Sequence, residues 1–165
     1  MSHYKNIQEK IFTLDELVVQ TKAWKEQGCK IVFTNGCFDL LHLGHVDYLA
    51  QAADFGHKLI VALNTDASVS KIKGPHRPIC DEKSRLFVMA SLESVSAVLL
   101  FGEDTPLNVI QTLLPNVLVK GADYRVEDIV GYDAVVKNGG EVKTIKFVEG
   151  YSTSAIENRI RMIKN

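Results

Sequence analysis

Cysteine is scarce in this sequence. Cys29, Cys37 and Cys80 are odd in number and lack the close pairing of a zinc site. That excludes a disulfide framework and points to reduced thiols in a cytoplasm. Long apolar runs are missing too. No stretch is long and apolar enough to span a bilayer, and the opening Met-Ser-His-Tyr-Lys-Asn-Ile-Gln-Glu-Lys carries no run of the kind a signal peptide needs. The expectation is a cytoplasmic protein without membrane contact. Neither sign of charge dominates, since 19 basic and 20 acidic residues give a net charge of -1. The chain as a whole is therefore not drawn to nucleic acid, although a local basic cleft is compatible with that balance. Repeats, low-complexity segments and linkers are also absent. With 46 % hydrophobic residues among 165, a single domain with a sizeable core is expected, residues 1–28 forming an N-terminal helical extension.

What is present is an alternation of helical and strand signals. Thr13, followed three positions later by Glu16, predicts a capping box and a helix over 13–27. The apolar run 30–34 predicts a strand ending at the turn signal Asn35-Gly36. A helix over 44–54 closed by Gly56 comes next, then a second strand over 58–64. Gly74, Pro75 and Pro78 predict a polar loop over 65–80. Asp81 caps a helix reaching Ser91, and 97–101 is a third strand. Asp104-Thr105-Pro106 opens another helix, and 117–120 is a fourth strand stopped by Gly121. Residues 126–138 are expected to be helical, 142–148 form the fifth strand, and Ser152 caps a last helix. The strand runs are nearly continuous in apolar residues, as in strands buried on both faces. The fold class is α/β: a doubly wound, five-stranded parallel sheet of Rossmann-like type.

The densest chemistry follows the first strand, in Gly36-Cys37-Phe38-Asp39-Leu40-Leu41-His42-Leu43-Gly44-His45. Ligands of parallel sheets bind outside the carboxyl ends of the strands, and this loop leaves such an end. One helical turn puts His42 and His45 on the same face. Gly44 between them leaves room for a phosphate to approach the backbone. Two imidazoles at a helix start suit anionic oxygens. A metal pair is the competing reading, but only Asp39 stands nearby as a further ligand.

The His-x-Gly-His string resembles the nucleotidyltransferase superfamily of cytidylyltransferases, pantetheine-phosphate adenylyltransferases and class I aminoacyl-tRNA synthetases. The last are excluded by chain length and by the lack of a Lys-Met-Ser-Lys-Ser-like string. The longer pattern Thr34-Asn35-Gly36-Cys37-Phe38-Asp39 with His42-Leu43-Gly44-His45 is more specific. So are Lys73-Gly74-Pro75-His76-Arg77-Pro78, Leu118-Val119-Lys120-Gly121-Ala122-Asp123-Tyr124 and Ser152-Thr153-Ser154. Together they resemble the adenylyltransferase domain of bacterial bifunctional heptose kinase/adenylyltransferases, over roughly residues 30 to 163.

The resemblance implies transfer of a nucleotidyl group from ATP to a sugar 1-phosphate, with heptose 1-phosphate as the expected acceptor and pyrophosphate as the by-product. His42, His45 and Lys73 are the expected catalytic residues. The nucleotide would meet Gly36, Cys37, Phe38 and Gly44 after the first strand, Lys120 and Gly121 after the fourth, and Tyr151, Ser152 and Thr153 at the last helix. Ser152 taken alone reads better as an ordinary cap; its place after the fifth strand, facing the same sheet edge as His42, favours phosphate. The acceptor would meet Asp39, Asn64, Asp66, Lys71, Arg77, Arg85 and Asp123, with Tyr124 lining the pocket. A solvated charge run is the alternative for Lys71, and a surface pair with Asp81 for Arg85. Mg²⁺ is expected on the nucleotide phosphates, with no protein metal cage. Cys37 is assigned no covalent chemistry. A homodimer through the helix holding Arg85, Leu86, Phe87 and Met89 follows by analogy only.

A glycerol-3-phosphate cytidylyltransferase using CTP is the nearest alternative. Those enzymes usually read Gly-Thr-Phe-Asp in the first motif, Asp-Trp after the fourth strand, and arginine where Phe147 stands here. They also usually lack the extra helix at 13–27. A non-catalytic nucleotide-binding module is the alternative of another class. With no kinase-like segment beside the motifs, a separate protein is expected to supply the sugar 1-phosphate.

Overall fold

A computed structural model describes residues 2–122 and 125–163. Five strands form one all-parallel sheet: β1 (Ile31–Gly36), β2 (Lys58–Asn64), β3 (Ala97–Phe101), β4 (Val117–Gly121) and β5 (Glu141–Ile145), in the order β3-β2-β1-β4-β5. The order reverses at β1, so the loops leaving β1 and β4 part there and open a crevice. β1 pairs with β2 from Ile31↔Lys58 to Gly36↔Leu63, and with β4 at Val32↔Val117 and Phe33↔Leu118.

The strands are apolar on both faces, and their residues alternate between two cores. Val32, Leu59, Val61, Val98 and Val119 pack with Tyr48 and Leu49 of α3 (Leu43–Ala53) and Met89 of α5 (Glu82–Ser91). Ile31, Phe33, Ile60, Leu99 and Leu118 pack with Leu17 of α2 (Leu14–Glu26) and Ile110 of α6 (Leu107–Leu113). Helices on both faces satisfy the doubly wound expectation.

The capping box at Thr13 forms as expected: Glu16 N–H donates to Thr13 Oγ1 at 3.3 Å and Thr13 N–H donates to Glu16 Oε2 at 2.8 Å. Before α2 lies α1 (His3–Gln8), so the N-terminal extension holds two helices. The segment between them runs along β3, where Ile11 bridges Val98.

Four boundaries differ from expectation. β1 runs on through the turn expected at Asn35-Gly36, because both residues pair with β2 at Ala62 and Leu63. The polar loop over 65–80 begins instead with α4 (Asp66–Lys73), because Thr65 Oγ1 accepts from Ser68 N–H and starts a helix. The helix expected over 126–138 is a 3-10 turn at Val126–Asp128 and then α7 (Tyr132–Lys137), interrupted at Gly131, whose φ is 92°. β5 stops at Ile145, where its pairing with Gly121 ends. The last helix, α8 (Thr153–Ile163), is capped by Ser152, whose Oγ accepts from Ala155 N–H at 3.1 Å.

Candidate active site

A cleft of ≈ 480 Å³ opens at the carboxyl ends of β1 and β4. His45, Lys73, Lys120, Gly121, Thr153 and Ser154 all reach its walls, as do Asn64, Arg77 and the Gly36–Asp39 loop. Four motifs spread over the sequence thus converge where the strand order reverses.

The loop after β1 packs closely on itself. Phe38 adopts φ 47°, a left-handed conformation uncommon outside glycine. Its ring folds back under Gly36, where a Cβ would lie 2.9 Å from Phe38 Cε2, and meets His45 edge-on at 5.2 Å between centroids. His45 and His42 stack, their rings 3.8 Å apart and 20° from parallel. A Cβ at Gly44 would press on the His42 ring at 3.2 Å and on Tyr151 Cβ at 3.4 Å. The observed contacts therefore make Gly44 a point where His42 and the loop before α8 close up, in addition to any phosphate approach. Within this group His45 lines the cleft, and His42 stacks on it.

Burial, followed by the neighbouring His42, depresses His45 to a pKa of about 4, and burial also lowers His42. Neither Nδ1 has a hydrogen-bond partner among the described residues. At neutral pH the pair is uncharged, able to donate through N–H groups to an anion. Burial pushes the Cys37 thiol up, away from thiolate.

The charged residues divide into cleft groups and braces. Lys73 lines the cleft and forms no ion pair among the described residues. Lys120 lines it too, donating to Asn35 Oδ1, and burial lowers its pKa to about 8. Asp39 is fully engaged: it accepts from Arg77 at 2.6 Å and from the N–H groups of Ile79 at 2.8 Å and Cys80 at 2.9 Å. Burial raises its pKa, but those donors outweigh it and the carboxyl stays below its usual range. Arg77 also donates to Glu157 of α8 at 2.9 Å, so one guanidinium ties the β1 loop to the last helix.

Arg85 does not pair with Asp81. Its side chain is 0 % exposed and donates to the Cys80 carbonyl at 3.0 Å, the Cys37 carbonyl at 2.7 Å and Asp66 at 2.8 Å. It braces the site from behind, and Asp66 is its partner. Lys71 stands off the cleft, 69 % exposed and paired with Asp104. Asn64 lies at the cleft, its amide donating to Ser68 Oγ at 2.9 Å. Asp123 and Tyr124 lie outside the described residues. On α5, Arg85 and Met89 are buried and Phe87 packs on Tyr4 of α1 at 5.7 Å, so the chain itself covers much of the face expected to form a dimer.

Sequence reasoning missed Phe147, Asn35 and Tyr48. All three line the cleft. Asn35 stood in the turn signal, but no local pattern marks Tyr48, which belongs to the core side of α3.

Residues 33–159 match the cytidylyltransferase-like family model. The bifunctional protein HldE of Azorhizobium caulinodans is 55 % identical over 139 residues, covering 84 % of this chain and 29 % of the relative. That of Geotalea uraniireducens is 51 % identical over 152 residues, covering 92 % and 31 %. The chain thus spans less than a third of the length of the curated relatives it matches. Among solved structures, the lipopolysaccharide core biosynthesis protein from Thermoplasma volcanium GSS1 gives a TM-score of 0.59 at 28 % identity, over 76 % of this chain and 100 % of that one. Pantoate-beta-alanine ligase from Francisella tularensis, complexed with beta-gamma ATP and beta-alanine, gives a TM-score of 0.58 at 13 % identity, covering 94 % of this chain and 78 % of that one, a likeness of fold alone. The family model runs from within β1 to α8 and takes in every segment that forms the cleft, so the chain belongs to the cytidylyltransferase-like family.

Proposed function

We propose that this chain is a nucleotidyltransferase that moves AMP from ATP to a sugar 1-phosphate, heptose 1-phosphate being the acceptor, and releases pyrophosphate. The observation that carries this reading is the stacked His42–His45 pair beside Lys73 and the start of α8, all at one cleft. His45, Lys73 and the helix start are donors suited to phosphate oxygens, and together they would surround the place where charge develops on an α-phosphate, with His42 backing His45. The motifs that resemble heptose adenylyltransferases and the similarity to proteins called HldE support the choice of nucleotide and sugar.

In this mechanism an oxygen of the acceptor phosphate attacks the α-phosphorus in line. The bond from that phosphorus to the bridging oxygen breaks, and pyrophosphate leaves with the electron pair. His45 donates to the α-phosphate, and His42, stacked against it, holds the ring in place. Lys73 and the Ser152–Ser154 backbone take the leaving charge. Arg77, Asp39 and Arg85 position these groups. Mg²⁺ would be held by the phosphates and water, since Asp39 is the one carboxylate on the described cleft wall and its oxygens are engaged. When bound, the ion neutralises phosphate charge. The reaction belongs in the cytoplasm, where ATP is supplied.

The test is pyrophosphate release from a matrix of four nucleotides against heptose 1-phosphate, other sugar 1-phosphates and glycerol 3-phosphate. Turnover confined to ATP with heptose 1-phosphate is expected. Preference for CTP with glycerol 3-phosphate would overturn the substrates, and binding without release in every pair would overturn the enzyme.

A further inference from the structure

Among the described aromatic residues that line the cleft, Phe38 and Tyr48 are buried and Phe147 is exposed. Phe147 follows β5 at the lip of the cleft, is 45 % exposed, and forms part of the cleft wall. Yet the ring is not loose. It packs on Tyr48, 5.4 Å between centroids and 33° from parallel. Tyr48 is itself buried and hydrogen-bonded to Thr34 at 2.8 Å. On another side the ring lies so close to Gly121 that a Cβ there would come within 2.3 Å of Cε2. Two neighbours thus fix the ring while much of it stays open to the cleft.

We infer that Phe147 is the platform on which the nucleobase stacks. The inference rests on the nucleotidyltransferase reading above and adds the base subsite to it. Candidate phosphate donors stand at His45, Lys73 and the start of α8. Only the short segment 148–152 separates Phe147 from that helix, so a base on the ring and phosphates at the helix start would share one wall. A fixed, half-exposed ring presents a π face to a base and covers its own apolar surface when the base arrives. A purine overlaps such a ring more fully than a pyrimidine, which favours ATP over CTP without any contact to base edges. Gly121 acquires a role here as well: it admits the ring to its place, whereas any side chain would displace it.

The test needs no acceptor. Binding of ATP and of inorganic tripolyphosphate is measured by calorimetry on the full chain, with melting temperature as the fold control. Phe147→Leu keeps apolar bulk against Gly121 and Tyr48 but loses the aromatic face, and Phe147→Trp keeps the face. Leu is expected to weaken ATP by roughly five- to a hundredfold and to leave tripolyphosphate unchanged. Trp is expected to hold ATP affinity and to show quenched fluorescence on binding. Unchanged ATP affinity in the Leu variant, or equal loss of ATP and tripolyphosphate, overturns the platform. If the unaltered chain binds no nucleotide, the nucleotidyltransferase reading fails first and the platform goes with it.

Discussion

Burial keeps His45 a neutral imidazole at pH 7, the form in which the proposed reaction would use it, and that state has a measurable signature. Its pKa falls from 6.5 to about 4 on folding, through burial and then through His42. Between those values the unfolded chain holds a proton that the folded chain does not. Stability from this group is therefore complete above pH 6.5 and is lost as pH falls toward 4, by about 1–2 kcal/mol once solvent screening of the partly exposed ring is allowed for. In urea titrations at stepped pH, His45→Ala should flatten the loss across that window. The same variant should keep its fold at pH 7.5 and lose about a hundred- to a thousandfold in pyrophosphate release, the usual cost of one transition-state donor. Lys120 carries the opposite burden. Burial lowers its pKa from 10.5 to about 8, so below pH 8 the folded chain shelters a charge that water would hold more favourably. Stability should rise as pH climbs from 8 to 10.5. Lys120→Met should raise unfolding free energy at pH 7 by about 1–3 kcal/mol and weaken ATP. A denaturation curve and one affinity measurement decide it.

Helix α8 brings Thr153 and Ser154 to the cleft wall yet buries none of its described residues. What fastens it at Glu157 is Arg77, whose other arm holds Asp39. Arg77→Ala should cost about 2 kcal/mol, and should speed proteolytic cutting near Glu149 and Gly150 more than it lowers the melting temperature. Equal effects on both would show that α8 is anchored elsewhere. Here the limits of sequence reading have physical causes. The capping box at Thr13, the strand runs and the His-x-Gly-His loop are local, and all were legible. The partners of Asp39 come from 38 to 41 positions away, and Arg85 finds Asp66 19 positions off. No local pattern encodes such pairs, so Asp39 and Arg85 read as groups awaiting a substrate. Short α4 was lost because two turns carry little apolar periodicity, although Thr65 marked its start.

The parallel sheet places every cleft segment at one end of the strands, and the turns at the other end serve only to connect. The Asn138-Gly139 turn before β5 belongs to that second group: space around Gly139 is open, with nothing within 4 Å of a built Cβ. A flexible insertion of about ten residues between Asn138 and Gly139 should leave ATP affinity within twofold. A tenfold loss would mean that β5 transmits strain to Phe147. The polarity of the sheet has a practical counterpart. A fluorophore or a surface tether attached through that insertion would leave the catalytic mouth facing solution, so molecules immobilised there should all present the same side to passing substrate.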